Sequence, residues 1–299
     1  MIKHIARLMN FLSFRGYLKW LPDELFLKII FRLKMGYRLD LNNPKTFNEK
    51  IQWLKLYDRN PLYTSLVDKY EVRQFVKEKI GEEYLIPLLG VWDNFDDIDF
   101  EALPNQFVLK CTHDSGGLVI CKDKSKLNIP AAKKKINACM KRNYYWVLRE
   151  WPYKNVKPRI IAEKYMEDFG DGELRDYKFY TFNGSPHALL LATNRQSKDS
   201  PLCFDYFDMS FNHLPLTNYW HPNNSSNPPH EPQNFEEMKV LAHKMAKDFP
   251  LVRVDFYEVN GKTFFGEMTF FDMGGFLRLH PDSWEHEWGD LICLKKEGV

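Results

Sequence analysis

The chain has 299 residues, 44% of them apolar and 27% charged, the proportions of a globular protein with room for one large folding unit or two smaller ones. Its net charge of +2 sets up no global field that would demand nucleic acid as a partner. Five scattered cysteines with no CxxC pair (Cys111, Cys121, Cys139, Cys203 and Cys293) argue against a disulfide framework or a cysteine zinc site, so a reducing, cytoplasmic location is expected.

The first forty residues are the most basic part. They hold eight Lys and Arg against Asp23, Glu24 and Asp40, an excess of five. The opening MIKHIARLMNFLSFRGYLKW carries too many charges for the apolar core of a signal peptide, and no segment reads as a membrane span. Two readings remain. Residues 1–40 form a helical cap packed on the body with a solvated basic face, or they lie peripherally on the anionic inner face of a membrane. The packed cap is the expectation.

Residues 1–85 read as helices. Thr46 and Glu49 have the spacing of a capping box, and Phe47, Ile51, Leu54 and Leu56 recur at helical intervals. Gly36 and Gly81 suit helix ends. Strand patterns follow at Leu85–Val91 and Gln106–His113. A helix is expected after Pro130, with Lys133–Lys135 on its solvated face. Further strands are read in RIIAEKYME, LRDYKFYTFNG and HALLLAT. His221–Asn234 is a Pro/Asn/Ser-rich loop, and NFEEMKVLAHKMAKDF is a helix.

The most informative stretch is VRVDFYEVNGKTFFGEMTFFDMGG, a hairpin turning at Asn260-Gly261. Val252, Val254, Phe256, Phe264, Met268 and Phe270 are apolar at even positions. Arg253, Asp255, Glu267 and Thr269 are polar at odd ones. If the odd sets share a face, the hairpin presents two carboxylates, a guanidinium and a hydroxyl together, a hard-oxygen set that suits Mg²⁺ and not zinc. A two-residue loop would put Asp255 and Glu267 on opposite faces. The shared face therefore needs a three-residue loop, Val259–Gly261, or a bulge in either arm. Upstream, Lys110 ends an apolar strand before Ser115, Gly116 and Gly117, a plausible phosphate cradle without the spacing of a P-loop. His113 beside it reads as structural.

This order is lysine-ended strand, glycine turn, Glu-rich strand, then Arg-x-Asp and Glu-x-Thr on neighbouring strands. It resembles the ATP-grasp superfamily. The phrases NPKTFNEKIQWLKLYDR, DKYEVRQFV, YLIPLLGVW, FVLKCTHDSGG and RVDFYEVNGKTFFGEMTF are similar to the TupA-like ATP-grasp family, associated with teichuronopeptide, capsule and other surface-polysaccharide synthesis. The resemblance implies an α+β class: an ATP-grasp fold of two α+β subdomains that grip ATP, after a mainly helical N-terminal region. It implies 1–105 as that region and 106–299 as the ATP-grasp domain, with 106–162 a nucleotide lid and 163–299 the metal and substrate part. By this resemblance Lys110 meets phosphate and Ser115–Gly117 are the mobile loop. Glu163, Lys164, Tyr165 and Met166 form the adenine hinge, with Glu167 or Asp168 near ribose. Lys178 also meets phosphate, Arg253 stands beside the transferred phosphoryl group, and Asp255, Glu267 and Thr269 hold Mg²⁺. Thr269 departs from the asparagine common at that position. The implied activity is an ATP- and Mg²⁺-dependent carboxylate–amine ligase that works through an acylphosphate. Its partners would be ATP, a carboxylate-bearing glycan or sugar acceptor and an amino acid or amine donor, with no nucleic acid. A glycan kinase, and a glycosyltransferase or non-catalytic assembly protein, are the alternatives.

Overall fold

The computed structural model describes residues 2–167, 174–195 and 200–294. The chain begins with helices α1 (Ile2–Phe14), α2 (Asp23–Met35), α3 (Phe47–Tyr57), α4 (Leu62–Val67) and α5 (Val72–Lys79). The capping box forms as read: Glu49 N–H donates to the Thr46 hydroxyl, and the Glu49 carboxylate accepts from Thr46 N–H. Gly36 ends α2 in the left-handed region.

Two antiparallel sheets follow. The first has the order β1-β4-β2-β3, from β1 (Leu88–Trp92), β2 (Phe107–Cys111), β3 (Leu118–Cys121) and β4 (Ile160–Lys164). Strand β1 thus joins this sheet from the N-terminal side of residue 105. It begins at Leu88 rather than Leu85, because a 3₁₀ turn at Glu82–Tyr84 runs into Pro87, which has no N–H to give. Phe107, Leu109, Cys111, Ile160 and Ala162 point to one face and pack under α6 (Ile129–Met140). Lys110, Glu163, Leu118 and Ile120 point to the other. The helix expected after Pro130 stops at Met140 and resumes as a short α7 (Tyr145–Leu148). Lys134 and Lys135 are exposed, and Lys133 pairs with Asp96.

The second sheet has the order β10-β9-β5-β6-β7, from β5 (Asp176–Phe182), β6 (Ser185–Thr193), β7 (Cys203–Phe207), β9 (Leu251–Val259) and β10 (Lys262–Thr269). Short strands β8 (Thr217–Asn218) and β11 (Leu279–His280) pair separately. His221–Asn234 is a loop, as expected. Helix α8 (Phe235–Ala246) covers the face that carries Phe179, Val254 and Phe256. The opposite face is split along its length. At one end Tyr180 and Phe182 lie under Phe47 of α3 and Trp288 of α9 (Ser283–Leu291). At the other end the same face is charged.

The hairpin corrects the expected loop. Val259 pairs with Lys262, so the turn is the two-residue Asn260-Gly261 with both residues at positive φ, the type I′ signature. A bulge at Gly266 then shifts the register, so that Glu267 opposes Asp255 and Thr269 opposes Arg253. A Cβ on Gly266 would lie 3.0 Å from the Asp255 carbonyl oxygen, which explains why glycine suits the bulge. The bulge also changes which phenylalanine is buried. Phe265 opposes core-facing Phe256, and Phe264 opposes Tyr257 on the charged face.

Helix α9 is held close to α3. A Cβ on Gly289 would lie 2.1 Å from the Lys45 carbonyl oxygen. Helix propensity alone makes Gly289→Ala stabilising by about 1 kcal/mol. Backbone overlap reverses the sign, and a loss of about 1–3 kcal/mol is expected in denaturant unfolding. A more stable variant would show that the two helices separate at no cost.

Candidate active site

The inner face of the first sheet and the charged end of the second enclose a cleft of about 260 Å³. Its first-sheet wall comes from Lys110 and Glu163, neighbours on the face opposite the α6 core. Lys110 Nζ donates to Glu163 Oε2 at 2.6 Å, and Arg73 of α5 donates to Glu163 Oε1 at 3.3 Å. The loop Ser115–Gly117 closes one side. Gly116 has φ 114° with open space where a Cβ would be, and Cys111 N–H donates to Gly117 O at 2.8 Å. Lys69 Nζ steadies this loop by donating to Asp114 O at 3.1 Å, and Arg142 pairs with the Asp114 carboxylate. His113 is buried with Nε2 3.2 Å from Cys139 O, and it lies outside the cleft lining, as a structural histidine should.

The opposite wall is the β5/β9/β10 face. Lys178 Nζ lies 2.6 Å from both Asp176 Oδ2 and Asp255 Oδ2, and Arg195 reaches Asp176 Oδ2 at 3.0 Å. Beneath Lys178, Arg253 grips Asp255 with two nitrogens, Nε to Oδ1 and Nη2 to Oδ2, each at 2.7 Å. The same Nη2 donates to Glu267 Oε1 at 3.1 Å and Thr269 Oγ1 at 3.2 Å, and Nη1 donates to Asp272. Tyr180 donates to the other Asp272 oxygen at 2.6 Å. Burial opposes the charge on Asp255, but Arg253 and Lys178 outweigh it and hold the carboxyl below its usual range. Burial likewise disfavours the Lys178 ammonium, and Asp176 and Asp255 outweigh it and raise its pKa.

Asp255 is neutralised from within the chain. It is 1% exposed, and the cations that neutralise it belong to the chain, Arg253 and Lys178. Glu267 is not buried; its side chain is 44% exposed and faces the cleft. The magnesium implied by the resemblance can be tested against these donors. Among the described residues no three His, Cys, Asp or Glu side chains form a cage. Magnesium does not need one, since one or two carboxylates with substrate phosphates suffice. One buried oxygen on the cleft wall, Asp176 Oδ1, lacks a hydrogen-bond partner. Glu267 and Asp176 beside Asp255 and Thr269 therefore fit a hard cation.

A second chamber of about 280 Å³ continues from the first and shares Lys110, Glu163, Arg195 and Tyr257 with it. Val108, Leu118 and Ile120 line it, with Lys164, Tyr165, Met166 and Glu167 along the edge where β4 ends. Asp168 lies outside the described residues. The residues read from the sequence therefore gather around two joined chambers, one dominated by charge and one mixing apolar and charged side chains, with Arg253, Asp255 and Thr269 just below the charged wall. Sequence reasoning missed Arg73, Arg195 and Asp272. Asp272 had a signal, a carboxylate before Met273-Gly274-Gly275. Arg73 and Arg195 had none, because only tertiary structure brings them in.

A family model described as TupA-like ATPgrasp matches residues 49–293. No curated protein sequence matches the chain. Among solved structures it is similar to an L-amino acid ligase from Bacillus licheniformis, at 11% identity and TM-score 0.47, over 86% of this chain and 57% of that one. It is also similar to a D-alanine–D-alanine ligase from Helicobacter pylori, at 12% identity and TM-score 0.44, over 84% and 70%. With an N5-carboxyaminoimidazole synthase from Aspergillus clavatus the values are 11% and 0.38, over 69% of this chain and 44% of that chain, so the chain spans less than half of that protein.

Two variants test the geometry. Lys110→Ala should weaken Mg-ATP binding at least about tenfold by calorimetry while the thermal transition stays within a few degrees; unchanged affinity would remove Lys110 from the site. Arg253→Met leaves Asp255 and Asp272 without their shared cation and should cost about 3–5 kcal/mol in chemical unfolding. A cost below about 1 kcal/mol would mean that Arg253 is structurally dispensable.

Proposed function

Because the chain belongs to the TupA-like ATP-grasp family, we propose that it is a carboxylate–amine ligase that uses ATP and Mg²⁺ to attach an amino acid or amine to a uronic acid of a surface polysaccharide, on the cytoplasmic side. The observation that carries this reading is the Gly266 bulge, which sets Glu267 opposite Asp255 on the wall facing Lys110. Adenine would lie in the second chamber against Val108, Leu118 and Ile120, along Glu163–Met166. The phosphates would run into the charged chamber, where Lys110 and the Ser115–Gly117 loop meet them.

Magnesium, when bound by Glu267, Asp255 and Thr269, would neutralise phosphate charge and polarise the γ-phosphoryl group. An acceptor carboxylate oxygen attacks the γ-phosphorus, the bond to the ADP oxygen breaks, and an acylphosphate results. The amine nitrogen then attacks the acyl carbon, phosphate leaves with the bonding pair, and the amine loses a proton. Lys178 and Arg253 hold positive charge beside the transferred group, and the lid excludes water from the acylphosphate. No enzyme nucleophile is needed.

Hydroxylamine intercepts acylphosphates without knowledge of the natural amine. With ATP, Mg²⁺ and a uronic-acid glycan, hydroxamate and ADP should form in equal amounts. Glu267→Gln should lower both by at least about a hundredfold, since one carboxylate fewer leaves the metal undercharged. A stable phosphorylated glycan would instead assign a kinase, and turnover of a nucleotide sugar without ATP would assign a glycosyltransferase.

A further inference from the structure

Helix α1 packs along one stripe and leaves much of the rest of its circumference open. One side packs: Met9 joins the cluster of Phe26, Leu27, Ile30 and Phe31, and Ser13 Oγ donates to the Trp146 and Val147 carbonyls at 2.5 and 3.0 Å. The other side is open. Ile5, Leu8, Phe11 and Phe14 fall at every third position and are all exposed, Phe11 by 53%. The series continues past the helix through Tyr17 to Trp20, which is 76% exposed. Leu25 and Ile29 of α2 add to it. Among the described residues, eight of the eighteen exposed large hydrophobic side chains thus lie between residues 5 and 29. Single exposed apolar residues need no explanation, but a concentration of this kind marks an interaction surface.

Its charge says which kind. Arg7, Arg15 and Lys19 are exposed among these apolar groups, and residues 1–22 contain no acidic residue; on α2, Lys28 is paired with Glu24. Arg15 stacks over the Phe11 ring at 5.5 Å. The first acid, Asp23, turns inward to Arg149 and Tyr145. A second copy presenting the same face would bring like charges together, and the centres of protein interfaces are depleted in lysine. An anionic bilayer accepts this pattern: the apolar groups enter the headgroup boundary, the cations meet lipid phosphates, and tryptophan and tyrosine sit at the interface. No described helix is long and apolar enough to cross a membrane, so the contact would be in-plane.

We propose that the exposed face running from Ile5 to Trp20 docks the protein on an anionic lipid surface. Packing of α1 through Met9 and Ser13 leaves these side chains open, so the docking reading does not displace the packed cap. The proposal stands apart from the ligase reading, because it uses no residue of the cleft.

Co-sedimentation of the full chain with vesicles tests it, using phosphatidylcholine alone and mixed with phosphatidylglycerol. Binding is expected to the mixed vesicles and to weaken with salt. Arg7→Gln/Arg15→Gln should lower the partition coefficient about thirtyfold, roughly fivefold per cation. Leu8→Gln/Phe11→Gln should remove the part of binding that survives high salt. Both double variants should keep the wild-type thermal transition and ATP affinity, since these side chains face solvent. Tryptophan emission of wild type minus Trp20→Phe should shift to the blue on the mixed vesicles. No co-sedimentation at low salt would overturn the proposal. So would binding that both double variants retain. A wild-type dimer that Leu8→Gln/Phe11→Gln abolishes, without vesicle binding, would assign the face to a second copy.

Discussion

One guanidinium organises the charged half of the second sheet. Arg253 lies where that face passes from cleft to core, and its nitrogens serve Asp255, Glu267, Thr269 and Asp272 at once. Through Asp272 it reaches Tyr180, which packs on Phe47 and Trp288 under the helical N-terminal half. Buried carboxylates are tolerable only when paired. Without this cation, Asp272 would lose its charged partner and Asp255 would be left with Lys178 alone. The cleft can therefore keep carboxylates ready for a ligand because an arginine behind them carries the opposite charge.

That arrangement bears on any divalent ion. In this structure Arg253 Nη2 bridges Asp255 Oδ2 and Glu267 Oε1, the two oxygens between which a metal would otherwise be sought. The exposed Glu267 is the carboxylate of this wall most open to an incoming cation. An ion arriving with nucleotide phosphates would compete with, or stand in front of, a positive charge already in place. The wall is then nearly neutral before the nucleotide arrives, which lowers the cost of keeping it assembled.

The sequence made the local features legible and left the long-range ones hidden. Alternation exposed the β9/β10 hairpin, the Thr46–Glu49 spacing exposed a helix start, and a lysine before Ser115-Gly116-Gly117 exposed the loop beside the cleft. These depend on neighbours within a few residues. The four-residue β3, with its exposed Leu118 and Ile120, gave too short a pattern to stand out. Strand β7 and helix α9 were hidden for another reason. Their apolar residues are explained by partners far along the chain, such as Trp288 against Phe47. Arg73 and Arg195 reach the cleft only because α5 and the end of β6 are folded against it. Of the two ways to a shared face, a three-residue loop or a bulge, the chain takes the bulge, because Asn260-Gly261 supports a two-residue loop. Gly266 supplies it, and a lone glycine in a strand was the available clue.

That glycine gives the hairpin a parity. Strand residues have only two orientations, so a single inserted residue inverts everything beyond it. Phe264 and Phe265 obey one phase of the alternation, and Glu267, Met268 and Thr269 obey the other. A chain that paired Gly266 in register with Asp255, with no bulge, would keep every acidic, basic and aromatic residue of the site and still turn Glu267 into the core and Met268 toward the cleft. In this hairpin the count of residues matters as much as their kind. A homologue with the same motif but an ordinary strand residue paired in place of the bulge would carry the letters of the site without its geometry.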